Sequence, residues 1–423
     1  MKKFDYVVIG GGPAGGAAAI ELARNVDRPS VALIGEESFT PYERPPLSKA
    51  TLAALPGQHK PQLLFGSADD LAAAGVTPFI PARAVRVDPA TRVVELASGV
   101  CMGYGSLLFA TGAAPRRLST PGATLGGIHY LRTFDHALAL SAELGPGKKI
   151  VVVGGGFIGL EVSATARKAG CKATVVEAGL RLMARGVPEV ISRAVKEKFQ
   201  TEGVNLILGK TVHAFHGEQR IRAVELDDGT LVEADCVAVG VGAIPNTTLA
   251  REAGLEIRDG IVADALGRTS DPYCFAAGDV ANRHQGLPSH PLYIRRLEAW
   301  EPAIEQAIAT AKAMRGESCE PAGFPWLWSD QFDWNLQIAG YGELADTTIT
   351  RPGAEAGAMT VFQLYRQRLI GVVTLNEGRN MTLLRRALQR GLPLDASRLA
   401  DPGVPLRQAL SEAAATISQS SVH

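Results

Sequence analysis

The sequence predicts an α/β fold: two similar domains built on βαβ units, followed by a C-terminal α+β domain. Three observations predict it. The segments VVIGGGPAGGAAAIE (residues 7–21) and VVVGGGFIGLEVSAT (residues 151–165) share one pattern: an apolar run, a glycine cluster and a helix-forming stretch. Around each segment apolar runs alternate with helical stretches, the mark of βαβ units and a mostly parallel sheet. The last part of the chain changes to antiparallel-strand patterns closed by a helix.

Length and composition agree. At roughly 100–200 residues per domain, 423 residues suggest two to four domains. A hydrophobic content of 46% and a charged content of 20% are those of an ordinary globular protein. Lys plus Arg number 43 and so do Asp plus Glu, a balance that argues against a coat for nucleic acid or an acidic membrane. The cysteines Cys101, Cys171, Cys236, Cys274 and Cys319 form no CxxC pair, which fits reduced thiols in a cytoplasmic protein. The first strand is expected to begin near Phe4, so no cleaved leader is expected, and no apolar run approaches the ~20 residues of a membrane span.

In chain order, FDYVVIG, GPAGGAAAIELAR and SVALIGEE read as strand, helix and strand. Short strand-like pieces follow around Pro89–Glu95 and Thr111–Pro121. KKIVVVGGG, GLEVSATARKAG and KATVVEAG repeat the unit, which closes near CVAVGVGAIPN. DPYCFAAGDVA is a further buried strand meeting a turn. PWLWSDQFDWNLQIAGYG, AMTVFQLYRQRLIGVVTL and MTLLRRALQRG are antiparallel strands and a helix, and the tail after Asp401 is expected to end loosely. The expected boundaries are residues 1–113 and 243–320 for the first domain, 114–242 for the second and 321–423 for the last.

In the first cluster the GxGxxG fingerprint is Gly10, Gly12 and Gly15, with Pro13 and Ala14 opening the helix. Gly10 permits the tight turn, Gly12 lets backbone approach a pyrophosphate, and Gly15 lets the helix pack on the strand. The helix N-terminus adds unpaired N–H groups and partial positive charge. Glu36 and Glu37 end the next strand, where an acid takes ribose hydroxyls. This is a Rossmann-like dinucleotide cradle. Gly154, Gly156 and Gly159, with Phe157 and Ile158, repeat it, and Glu177 ends the following strand. A carboxylate there accepts a ribose diol and repels a 2′-phosphate, favouring NADH over NADPH; Arg181 and Arg185 follow close by and would soften that preference.

Further motifs lie outside the cradles: PYERPPLSK at 41–49, LLFATGAAP at 107–115 and CFAAGDVA at 274–281. Two prolines set an extended path that excludes helix until after Pro46 and holds Arg44 and Lys49 in place. Together with the two fingerprints, in this order and over essentially the whole chain, these motifs resemble the NADH-dependent ferredoxin reductases of bacterial oxygenase systems. Those are flavoproteins of glutathione-reductase-like fold that serve aromatic-ring dioxygenases and some cytochromes P450. The resemblance implies FAD in the first cradle and NADH in the second. It implies that Asp279, after Gly278, bonds the ribityl chain, a role its acceptor-only carboxylate can fill. It implies further cofactor contacts from Arg44, Ala84, Val85, Ala110, Thr111, Gly112, Arg132, Arg185, Gly242 and Trp300. Lys49 is expected at the reactive edge of the isoalloxazine ring, where a cation favours the anionic reduced flavin. Glu161 is expected to approach both the nicotinamide carboxamide and Lys49, each charge holding the other ionised. Lys49 and Glu161 are therefore the candidate catalytic pair.

Two dinucleotides explain two cradles: one stays, the other comes and goes, and hydride passes between them. Disulfide reductases share this plan but carry a CxxxxC pair just after the first domain's second strand. The corresponding FTPYERPPLSKA has no cysteine, and no clustered thiolates offer an iron–sulfur site. His213 and His216 in HAFH have no third ligand nearby and read as a surface strand rather than a metal site. Electrons therefore leave to a partner, by resemblance a [2Fe–2S] ferredoxin of Rieske or plant/vertebrate type and through it a terminal oxygenase, with the reductase a monomer or homodimer. Trp334 is assigned to the core and Trp328 to the flavin edge or docking surface. Arg295, Arg296, Arg379, Arg385, Arg386 and Arg390 would steer an acidic ferredoxin by charge. In LEAWEPAIEQA, Pro302 fits a first helical turn, and Glu301-Pro302 replaces the family's small or amide pair with a negative charge. Two other readings remain: a reductase of another acceptor (rubredoxin or monodehydroascorbate), and a non-catalytic NADH-sensing flavoprotein.

Overall fold

The first strand, Lys2–Ile9, is exposed at its start and buried from Val7 to Ile9, as expected of a strand that enters the middle of a sheet. We describe the chain from a computed structural model, over residues 1–24, 28–53, 60–285, 287, 289–290 and 293–410. It divides into two compact units.

The first unit comprises Met1–Pro45, Lys60–Arg116 and Gly242–Gly323. Its main sheet runs Val76–Phe79, Val31–Ile34, Lys2–Ile9, Cys101–Phe109, Val93–Leu96, Ala84–Asp88. The first four strands are parallel, and the last two form an antiparallel hairpin. Strand Cys101–Phe109 serves two neighbours on one edge. Its first residues pair with Val93–Leu96, while Leu107–Phe109 take Cys274–Ala276 in parallel. That late strand is buried throughout and runs into the 3-10 turn Gly278–Val280, matching the strand-then-turn expectation. Helix Pro13–Ala23 buries Ala14, Ala17 and Ala18 against Ala303, Ala307 and Ala311 of helix Trp300–Met314. Small residues on both surfaces let the helix backbones approach closely. Leu22, wholly buried in this cluster, contributes about 2 kcal/mol by leaving water. Pro302 stands in the first turn of its helix, as expected.

The second unit comprises Pro46–His59, Arg117–Val241 and Phe324–His423. Its parallel sheet runs Asn205–Leu208, Lys172–Glu177, Lys149–Val153, Cys236–Val239, Ile128–Tyr130. The antiparallel strands Val212–Gly217, Ile221–Leu226 and Leu231–Glu233 accompany it. The HAFH motif falls on the first of these, where His216 Nε2 lies 2.6 Å from Glu225 Oε2. A second sheet, antiparallel throughout, runs Trp326–Gln331, Trp334–Gly340, Arg368–Leu375, Met359–Tyr365, Thr347–Pro352.

Strand periodicity gives that second sheet two buried faces. Phe362 and Val372 pack with Leu384 and Leu388 of helix Met381–Arg390. Their neighbours Val361 and Val373 turn the other way and join Leu160, Val162 and Ala164 of helix Phe157–Lys168. Leu52 is buried in the same cluster. The turn Pro45–Ser48 is a 3-10 helix, so regular structure starts before Pro46, where extended chain is expected. A first turn needs no N–H from its leading residues, and the fixed proline φ suits it. The tail expected to end loosely includes helix Leu406–Ala409, and residues 411–423 lie outside the described residues. Among the described residues, no helix is long and apolar enough to cross a membrane.

Candidate active site

The two glycine clusters fold alike, for the same steric reasons. Gly10 adopts φ +130° and Gly154 φ +108°, and a side chain on either would collide with a carbonyl oxygen, of Ala110 or of Gly240. Added side chains at Gly15 and Gly159 would strike the carbonyls of Gly10 and Gly154. The middle glycines differ. Gly12 and Gly156 are the N-caps of helices Pro13–Ala23 and Phe157–Lys168, and neither has a side-chain cap. A Cβ on Gly12 would meet only Arg44 Nη2 at 3.9 Å, and one on Gly156 would meet nothing within 4 Å. Each cluster thus presents uncapped helical N–H groups across open space floored by backbone. That is the donor set a pyrophosphate takes, so FAD and NADH fit these residues.

In the first unit, Arg44 donates to Glu37 at 2.5 Å and lies over the Tyr42 ring at 4.7 Å; Tyr42 also donates to Glu37. Glu37 is spent on this bracket, while Glu36, just past strand Val31–Ile34, keeps an exposed carboxylate 3.8 Å from Arg83. Thr111 is cross-tied to Asn246: Thr111 Oγ1 donates to the Asn246 carbonyl and Asn246 Nδ2 to that of Thr111, both at 2.8 Å. Asn246 is a residue the motif reading missed. Gly112 and Gly242 take positive φ beside this tie, where the chain crosses over as the paired strands Ala113–Pro115 and Ala243–Pro245. The Gly278-Asp279 turn touches the start of the first helix, a Cβ on Gly278 lying 3.0 Å from that of Ala14. Trp300 begins its helix half-buried. Ala84 and Val85 lie on the hairpin strand Ala84–Asp88, and Val85 is largely exposed. Arg296 is turned inward rather than toward a partner. Its side chain is 9% exposed and reaches the Asp279 carbonyl, Asp259 and Glu298. A guanidinium so enclosed contributes little at a surface.

In the second unit, Glu177 accepts from the backbone N–H of Gly155 at 2.6 Å and of Gly179 at 2.7 Å. Arg181 is consumed by its own loop, donating to the carbonyls of Val187 and Ala184 and to Ser192 Oγ. Arg185 is exposed, and Arg132 lies half-buried between strand Ile128–Tyr130 and the helix cap Thr133. Phe157 and the largely exposed Ile158 open the cradle helix.

One turn further along that helix the expected charge pair is present. Lys49 Nζ lies 2.9 Å from Glu161 Oε1, the Glu161 side chain being 4% exposed. Two hydroxyls join it: Ser329 Oγ donates to Oε1 at 2.7 Å and Ser48 Oγ donates to Oε2. Thr165 Oγ1 binds the Ser48 carbonyl at 2.8 Å. Ser48, Thr165, Ser329 and Gln331 were missed from the sequence. The signal was there for the last two: in WLWSDQ, strand alternation puts two polar residues on one face, and both are buried.

Among the aromatic candidates, Trp334 packs half-buried against the core, its ring 5.7 Å from Lys198 Nζ. Trp328 stacks on Trp326 at 5.0 Å, and Arg385 covers the Trp326 ring. Arg379, Arg386 and Arg390 are exposed.

The comparisons with known proteins agree with this geometry. Residues 4–307 match the pyridine nucleotide-disulphide oxidoreductase model, and residues 326–410 match the reductase C-terminal model. The chain is 37% identical over 408 residues to rhodocoxin reductase of Rhodococcus erythropolis, covering 96% of this chain and 94% of that protein. It is 35% identical to the ferredoxin–NAD(+) reductase component of the p-cumate 2,3-dioxygenase system of Pseudomonas putida, covering 95% and 97%. The reductase in a covalent putidaredoxin reductase–putidaredoxin complex superposes with a TM-score of 0.91 at 31% identity, covering 98% of this chain and all of that one. The chain belongs to the pyridine nucleotide-disulphide oxidoreductase family and also carries a reductase C-terminal domain.

Proposed function

We propose that this protein is an FAD-dependent reductase that takes hydride from NADH and passes single electrons to a [2Fe–2S] ferredoxin serving a terminal oxygenase. The observation that carries this reading is the occurrence, in one chain, of two dinucleotide cradles with the same floor and the same uncapped helix N-terminus. FAD, when bound, accepts hydride from NADH and gives its two electrons up one at a time. The chain's own residues do the rest. Helix N-termini at Pro13 and Phe157 bind the pyrophosphates, and Glu36 and Glu177 accept ribose hydroxyls. Glu161, buried and held by Lys49, presents its carboxylate to the carboxamide of the nicotinamide. Residues 1–113 with 243–320 form the FAD domain, 114–242 the NADH domain and 321–423 the domain nearest the partner.

A dithiol relay has no residues here, because the first cysteine in the chain is Cys101. The names of the relatives support a ferredoxin as acceptor, and exposed Arg379, Arg386 and Arg390 suit an acidic one. Five free thiols support a cytoplasmic location. The test is NADH-dependent reduction of cytochrome c with and without a plant-type or a Rieske-type ferredoxin. Strong stimulation by one of them is expected and identifies the partner class. No stimulation by either, with rapid reduction of a small oxidant, would instead favour a small-acceptor reductase.

A further inference from the structure

The carboxylate of Glu161 has about four lone-pair positions, and three donors already meet it: Lys49, Ser48 and Ser329. Lys49 and Ser48 are chain neighbours. Ser329 comes from the opposite end of the sequence, on strand Trp326–Gln331 of the C-terminal sheet, and is fully buried. Its hydroxyl has a second partner. Gln331, 3% exposed and two residues along the same face, donates from Nε2 to Ser329 Oγ at 3.0 Å. An amide nitrogen carries protons and accepts none, so Ser329 is the acceptor in that bond. Its single hydroxyl proton is thereby directed to the other neighbour, Glu161. The chain of bonds has one direction, from amide to hydroxyl to carboxylate, and ends beside the NADH cradle.

We propose that Ser329 and Gln331 are positioning residues for NADH, fixing the rotamer of Glu161 so that its one remaining lone pair faces the nicotinamide carboxamide. The proposal rests on the assignment of the second cradle to NADH. It gives the C-terminal domain a part in coenzyme binding, separate from any contact with an electron-accepting partner.

The test is calorimetric titration of the FAD-loaded protein with NADH under anaerobic conditions, with thermal unfolding of each variant measured alongside. Ser329→Ala is expected to weaken NADH binding about tenfold, the lower end for a hydrogen bond to a charged group. Ser329→Thr, which keeps the hydroxyl on a β-compatible side chain, is expected to restore it. Gln331→Met is expected to weaken binding about threefold, because the hydroxyl is then free to rotate. The double variant Ser329→Ala/Gln331→Met is expected to bind no worse than Ser329→Ala, since Gln331 reaches Glu161 through that hydroxyl, its other contact being Nε2 to Met183 Sδ at 3.9 Å. Ser329→Ala with wild-type affinity and only a lowered melting temperature would overturn the proposal, as would full additivity in the double variant. Failure of the wild-type protein to bind NADH at all would instead overturn the functional reading beneath it.

Discussion

Lys49 Nζ lies 2.9 Å from Glu161 Oε1, yet the two side chains are unequally buried, at 22% and 4% exposed. The asymmetry sets what each substitution does. Lys49→Met leaves a buried carboxylate with only the two serine hydroxyls, and stranding a buried charge costs roughly 3 kcal/mol. Glu161→Gln leaves a lysine that can turn toward water, and is expected to lose about 1 kcal/mol. Denaturant unfolding of the two variants checks the order, with Lys49→Met the less stable.

The glycines of each cradle separate folding from binding. Gly159→Ala drives a Cβ into the Gly154 carbonyl and is expected to lower stability by several kcal/mol. Gly156→Ala meets nothing within 4 Å and sits at φ −82°, so it is expected to fold normally while its methyl enters the open space proposed for the pyrophosphate. Unfolding midpoints and NADH affinity, measured on both, should change in opposite patterns. Gly12→Ala should likewise purify folded but depleted of FAD.

Those cradles were legible in the sequence because each glycine answers a local demand: a positive φ, a close carbonyl or an open cap. The Lys49–Glu161 pair was legible through motif resemblance alone, since nothing local brings residues 49 and 161 together. Ser48 escaped for the same reason. Strand alternation in WLWSDQ marks Ser329 and Gln331 as a polar pair on one face, but their link to Glu161 appears only when that face of the C-terminal sheet packs on the cradle helix through Leu336, Val361 and Val373. Arg296 shows the converse error: an arginine in a charged stretch read as surface, but Asp259, Glu298 and the Asp279 carbonyl enclose it.

On the proposed reading Glu177 sets the coenzyme choice, while Arg181 braces its loop through Val187, Ala184 and Ser192. Glu177→Ala removes the charge that repels a 2′-phosphate and is expected to reduce the preference for NADH over NADPH by about tenfold. Arg181→Met, which frees the Val187 and Ala184 carbonyls, should lower thermal stability and leave that preference intact. Steady-state kcat/KM with both coenzymes decides. A selective loss of NADPH turnover in Arg181→Met would mean the guanidinium does reach the phosphate.

His129 makes stability depend on pH. Burial holds its imidazole pKa below the ordinary 6.5, against the opposing pull of Glu143 at 3.6 Å. Below pH 6.5 the unfolded chain therefore takes up a proton that the folded protein refuses. Stability from this group is present above about pH 6.5 and is lost as pH falls toward the depressed folded value. Melting temperatures between pH 5 and 8 should fall on the acid side in the wild type, and less steeply in His129→Gln. Arg220 and His136, also charged or titratable nearby, oppose protonation and reinforce the direction.

Conversion of one hydride into two single electrons is measured by anaerobic titration of the FAD-loaded protein with NADH in the presence of excess oxidised [2Fe–2S] ferredoxin, followed by absorbance. The account predicts two ferredoxins reduced for each NADH consumed, and none when the protein is omitted. Bleaching of the flavin by NADH with the ferredoxin left oxidised would contradict it.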